Sequence, residues 1–228
     1  MPLYYDSTLI ILLPAMLLTL IAQFLVKSAY RNYVAVGNRR GITGEEAARR
    51  LLEKNMLYDV RIERVGGEMS DHYDPKHKVV RLSPEVYGGR SIASAAIAAH
   101  EVGHALQHAS EYTPLVLRSV MVPYVNFATN ISWFFVIGGL ALGFIGLLDI
   151  GILLFSLAVM FQLLTLPVEF NASKRALAEL ESTDILMPEE LSQGRKVLNA
   201  AALTYVAAAA TAASQLIRLM ALRGRRRD

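Results

Sequence analysis

The chain contains no cysteine. That excludes disulfides, thiolate zinc sites, iron–sulfur clusters and cysteine nucleophiles, so any metal must be held by His and carboxylates. Charge is scarce as well: 19% of the 228 residues are Asp, Glu, Lys or Arg, below the roughly 25% usual for soluble domains. The net charge of +3 is too slight and too scattered for a nucleic-acid surface, and no basic stretch interleaved with aromatics supplies one. No internal repeat or low-complexity linker is present. What remains is oil: 54% of residues are apolar and the mean hydropathy is +0.35, which rules out a disordered chain.

The charged residues leave four long gaps, 7–26, 119–148, 150–168 and 197–217, each long enough as a helix to cross about 30 Å of hydrocarbon. The first has no basic segment before it and no A-x-A-like exit, and it runs into Lys27, Arg31, Arg39 and Arg40. It reads as an uncleaved anchor rather than a secretory signal. The positive-inside rule then places residues 27–130 in the cytoplasm. Pro123, Asn126 and Asn130 lay the early part of the second gap along the membrane surface, so that its span begins near 131. Leu148-Asp149-Ile150-Gly151 is expected to turn outside, and the chain returns to meet Lys174 and Arg175. Residues 131–168 thus form a transmembrane hairpin that delivers Glu169 to the cytoplasmic side. A fourth crossing by 197–217 would carry Arg223, Arg225, Arg226 and Arg227 outside, against the rule. Its Ala-rich composition favours a helix packed on the rest or partly embedded, within a C-terminal segment 169–228 that is either spanning or peripheral. The basic tail reads as headgroup attraction.

In the cytoplasmic stretch, Thr43-Gly44-Glu45-Glu46 before Ala47, Ala48, Leu51 and Leu52 predicts a capped helix ending near Asn55. Segments 58–63 and 78–82 read as short antiparallel strands, broken apart by Gly66-Gly67 and Asp74-Pro75. Residues 91–109 are Ala-rich and free of Pro, which predicts a helix. That helix holds His100-Glu101-Val102-Gly103-His104. Two His four apart share one face and can meet one ion at about 2 Å, while Glu101, rotated by about 100°, can reach a water on that ion. Gly103 leaves room for another backbone. His108 lies on the same stripe but roughly 12 Å along the axis from His100, too far to share that ion, so it reads as a supporting or surface residue. Gln107 stands where the longer H-E-x-x-H-x-x-G-x-x-H pattern has Gly.

A catalytic zinc needs a third protein ligand and an open position. His72, His77 and the carboxylates are the candidates. Glu169 stands out because it ends a span, although an interfacial charge or a helix-start residue after Pro167 explains its position equally well. Asp71, His72, Asp74 and His77 could bind a second metal, but Asp74-Pro75 is a turn signal and turn chemistry is the preferred reading.

The segments 70–75, 79–84, 100–108 and 167–173 together resemble the YugP-type neutral zinc metallopeptidases of the bacterial membrane, over nearly the whole chain. Those are similar to HtpX-type membrane proteases, in which a later E-x-x-A-D segment supplies the third ligand. The resemblance makes Glu169 that ligand and Ala172 the Ala, with Ser173 in place of the Asp; Asn171 or Ser173 would then orient a zinc-binding His. It implies a mainly α integral membrane protein with an anchor, a helical hairpin and a small cytoplasmic gluzincin-like core with a few short antiparallel strands, in the bacterial inner membrane.

The function expected is zinc metalloendopeptidase, with one zinc per chain on His100, His104 and Glu169 and with Glu101 as the base that takes a proton from water and passes it to the leaving amine. Val79, Val80, Arg81 and Leu82 would hold substrate as an edge strand, or be an ordinary core strand. Tyr205, His72, Tyr73 and Arg175 are candidate oxyanion donors. The substrate is a polypeptide, a membrane protein or a segment near the bilayer. The alternative is a non-proteolytic membrane scaffold with a zinc site, which would not need Glu101. Oligomeric state is not readable.

Overall fold

The computed structural model describes residues 7–225; Arg226 and Arg227 of the basic tail lie outside the described residues. A short 3-10 segment, Ser7–Leu12, leads into α1 (Leu13–Val34), followed by α2 (Gly44–Lys54), β1 (Arg61–Arg64), β2 (His72–Asp74), β3 (Val79–Leu82), α3 (Pro84–Gly88), α4 (Ile92–Ala109), α5 (Thr113–Leu142), α6 (Ile145–Ser182) and α7 (Pro188–Gly224). The chain divides into two compact units: residues 7–22, 117–166 and 204–225 in the first, 23–116 and 167–203 in the second.

The first unit is helical throughout. Its core joins Val136 of α5, Leu148 and Phe155 of α6 and Leu219 of α7. Glycines set the α5–α6 spacing: a Cβ on Gly139 would lie 2.6 Å from the Leu148 nitrogen, and one on Gly151 2.9 Å from the Val136 nitrogen. Thr19 of α1 shares a 3.2 Å hydroxyl contact with Thr211 of α7. Outward, Leu20, Phe127, Phe134 and Leu153 are exposed, as residues meant for lipid would be. Helices of length and apolarity sufficient to cross a membrane cover Ser7–Val34, Thr113–Leu142, Ile145–Ser182 and Pro188–Gly224. The last joins the other three as a candidate span.

Two boundaries differ from the sequence reading. α5 runs unbroken through Pro123, so its early part is one helix with the span instead of a separate surface segment. The hairpin turn falls at Gly143-Phe144, not at 148–151: Gly143 takes φ +67°, and the Phe144 amide donates to the Gly139 carbonyl at 3.1 Å, the six-to-one bond of a glycine-terminated helix. Asp149 misled because it is a charge inside α6, paired with Arg223 of α7.

The second unit wraps a three-stranded sheet and several helices around α4. α2 begins with a capping box: the Glu46 amide donates to Thr43 Oγ1 at 3.1 Å, and the Thr43 amide to Glu46 Oε2 at 2.8 Å. α4 is capped by Ser91, and nearly every residue along it from Ile92 to Ala105 is buried, so its Ala-rich sequence serves close packing on all sides. The core contains Leu51, Leu52, Val80, Leu82, Val86, Ala95, Ala99, Val102, Ala176 and Leu180.

The sheet order is β1-β3-β2. β1 pairs with β3 in parallel, Arg61 opposite Val79, and β2 pairs with β3 antiparallel, His72 opposite Arg81. The sheet is therefore mixed, correcting the all-antiparallel expectation: the segment between β1 and β3 supplies a strand of its own, β2, and β3 returns in β1's direction. The same order corrects the edge-strand expectation for 79–82. β3 is central, paired on both sides, with Val79, Val80 and Leu82 buried. The Asp74 turn behaves as read: its Oδ1 accepts from the Lys76 and His77 amides at 3.0 and 3.2 Å.

Gly44, at the first turn of α2, has no room for a side chain: an added Cβ would lie 2.2 Å from the Val86 carbonyl oxygen. Gly44→Ala should destabilise the protein by about 1–3 kcal/mol through overpacking. An unchanged thermal midpoint in detergent would contradict this packing.

Candidate metal centre

His100 and His104 occupy successive turns of α4, and Glu169 lies on α6 within the second unit. The helices can bring these groups together because Gly103 faces α6 bare: a Cβ there would stand 2.5 Å from the Ala172 carbonyl oxygen. The backbone approach foreseen at Gly103 is thus made by Ala172, one turn beyond Glu169.

Among the described residues, His100, His104 and Glu169 form the group able to hold a metal ion, with their ligand atoms within 4.8 Å of one another. Glu169 Oε2 lies 3.3 Å from His100 Nε2 and 3.5 Å from His104 Nε2. Two atoms held tetrahedrally at 2.0–2.1 Å from a common centre stand about 3.4 Å apart. Two neutral imidazoles and one carboxylate are also a donor set that suits zinc, so these residues fit the ion.

Each imidazole is gripped at its far nitrogen. Ser173 Oγ lies 3.1 Å from His100 Nδ1, the orienting role expected of this hydroxyl. His104 Nδ1 lies 3.0 Å from Gln107 Oε1. Gln107 is fully buried, and its amide nitrogen donates to the Val168 carbonyl at 2.8 Å and to Asn171 Oδ1 at 2.9 Å. The sequence reading noted Gln107 without assigning it a partner. Its place three residues past His104, on the same face of α4, was the available signal.

Glu101 is buried beside the ligands. Burial pushes its carboxyl above the usual carboxylate range, while His100 and His104 pull it back. A carboxylate so placed is a stronger base than one in water, which suits it to take a proton from a neighbouring water.

The other candidates fall elsewhere in the second unit. His72 is exposed, its Nδ1 on the Ser70 carbonyl at 2.8 Å. His77 pairs with Asp74 at 2.7 Å, and Arg81 donates to the same carboxylate at 2.8 Å. Asp71 accepts from the Ser83 amide at 2.7 Å. These are the turn and strand contacts preferred for this cluster. Tyr73 Oη lies 2.9 Å from His108 Nδ1, and burial pushes that phenol up to about 12, so the hydroxyl keeps its proton. Arg175 is tied to Asn171 at 2.9 Å. Tyr205 lies on α7 in the first unit.

The sequence signature of the family described as "Putative neutral zinc metallopeptidase" matches residues 8–224. The chain is 52% identical over 199 residues to "Putative membrane protease YugP" of Bacillus subtilis (strain 168), an alignment covering 87% of this chain and 88% of that one. No solved structure matches. The resemblance read from the motifs is therefore borne out.

Gly103→Ala should push the Ala172 carbonyl away and carry Glu169 out of reach of the imidazoles. Elemental analysis is expected to show zinc lost from this variant in folded, detergent-purified protein; full zinc content would refute the spacing role of Gly103.

Proposed function

This chain belongs to the neutral zinc metallopeptidase family, and we propose that it is a membrane-embedded zinc metalloendopeptidase that cleaves membrane or membrane-proximal polypeptides. The observation that carries the proposal is the convergence of His100, His104 and Glu169, with Glu169 Oε2 at 3.3 and 3.5 Å from the two Nε2 atoms and Glu101 buried beside them.

His100, His104 and Glu169 would hold one zinc per chain. When bound, the metal would acidify a water and polarise the scissile carbonyl. Glu101 accepts the water's proton and delivers it to the departing amine, so one carboxyl serves both halves of the reaction. Ser173 and Gln107 hold the two imidazoles with their Nε2 atoms turned toward Glu169. The protein walls around Glu101 keep bulk water from competing for its proton.

An extended substrate needs an open strand edge. With β3 paired on both sides, we assign that role to the free edge of β2, whose Tyr73 bonds His108 one turn beyond His104. Lys27, Arg31, Arg39, Arg40, Lys174 and Arg175, all within the second unit and beside its apolar ends, support a cytoplasmic orientation of the site in the bacterial inner membrane.

Glu101→Gln should retain one zinc per chain and lose at least about 10²-fold in turnover of a casein or membrane-protein substrate. Glu169→Ala should lose the metal. Wild-type rates in the first variant would refute the assigned base, and unchanged zinc in the second would move the third ligand elsewhere.

A further inference from the structure

Gln107 makes three contacts whose polarities are not independent. Its amide nitrogen faces the Val168 carbonyl at 2.8 Å and Asn171 Oδ1 at 2.9 Å. A backbone carbonyl accepts only, so the NH₂ group must point there and the amide oxygen must face His104. Asn171 could turn its own amide over, but its Oδ1 also accepts from Arg175 Nε at 2.9 Å. Turning it would set NH₂ against the guanidinium. Arg175 is itself steadied over the Tyr112 ring, 6.0 Å from the centroid, a cation–π distance.

We propose that Gln107 is a positioning residue that locks the His104 tautomer. Its oxygen, fixed by Val168, Asn171 and Arg175, requires the proton on His104 Nδ1 and leaves the Nε2 lone pair for the ion shared with Glu169. The lock rests on the zinc reading above and acts with the metal in place, where Nε2 no longer has to answer the Glu169 carboxylate. It also carries a consequence opposite to the general rule. Carboxylates behind a ligating His ordinarily strengthen it, so Gln107→Glu would by that rule tighten zinc binding. Here a carboxylate would turn one oxygen toward His104 and the other onto the Val168 carbonyl and Asn171 Oδ1, two acceptors in a buried space where lone pairs facing each other are costly. Gln107→Glu must weaken the site.

His100 is held differently. Ser173 Oγ can donate or accept, so its 3.1 Å contact orients the ring without dictating the tautomer. The locking function therefore falls on one histidine of the pair.

The test is zinc affinity by chelator competition on full-length detergent-purified protein, comparing wild type, Gln107→Glu and Gln107→Leu, with Glu101→Gln as the control that keeps its ligands. Both Gln107 variants should lose about 10–100-fold in affinity. Nitrogen-15 NMR of the zinc-loaded protein supplies a readout that mere packing would not move: the His104 Nδ1 proton should exchange slowly in wild type and faster in Gln107→Leu. Gln107→Glu binding zinc as tightly as wild type, or unchanged exchange of that proton in Gln107→Leu, would overturn the lock. A wild type that binds no zinc would sink the metallopeptidase reading and the lock with it, whereas zinc bound equally by wild type and both Gln107 variants would sink the lock alone.

Discussion

The arrangement of the second unit depends on one close contact between backbones. α4 carries two of the candidate ligands and α6 the third, and side chains as short as His and Glu can share an ion only if the two helices nearly touch. Gly103 and Ala172 make that possible, with the missing Cβ of one facing the carbonyl of the other. The rest of the packing is equally close. Ala95, Ala96, Ala98, Ala99 and Ala105 of α4 and Ala176 of α6 are all buried, and a larger side chain there would overpack the core around this contact.

That packing has an electrostatic cost. Glu101 and Glu169 are 7% and 2% exposed, and a buried carboxylate is expensive unless something compensates its charge. Two carboxylates need two positive charges, and a divalent ion bound between the imidazoles and Glu169 would supply both. Folding and metal binding are then linked, since a site assembled only in the native state adds its binding free energy to stability. The neutral partners at Nδ1, an amide and a hydroxyl, fit this balance. They orient the imidazoles without adding a third negative charge to a region that already has two.

Much of this was legible in the sequence because local rules agreed with the fold. Thr43 and Glu46 announce the start of α2, and the His-Glu-x-x-His spacing places its groups on one helical face. Glu169 stood out as the carboxylate that ends a span, but only the family resemblance made it a ligand, since nothing local says that α6 will pass within reach of His100. The misread elements were those where a partner far along the chain changes the meaning of a residue. Asp149 looked like a turn because it is charged, but Arg223, 74 residues away, neutralises it inside the helix. Residues 79–82 looked like an edge because β2 was hidden in a stretch that reads as a turn. Gln107's place on the His104 face of α4 is visible in the sequence, but only the arrival of Val168 and Asn171 beside it gives its amide a direction.

The last two helices are longer than a membrane span requires. α6 has 38 residues and α7 has 37, so each rises about 55 Å, whereas hydrocarbon occupies only about 30 Å. Each therefore extends well past any span it makes. In α6 the uncharged stretch 150–168 ends at Glu169, with Lys174, Arg175, Glu179 and Glu181 beyond it. The residue proposed as the third ligand is thus the first charge after the apolar stretch, and Pro167 and Val168 just before it still belong to that stretch. A site carried at the charged end of a candidate span is the physical ground for proposing substrates that lie in or against the bilayer.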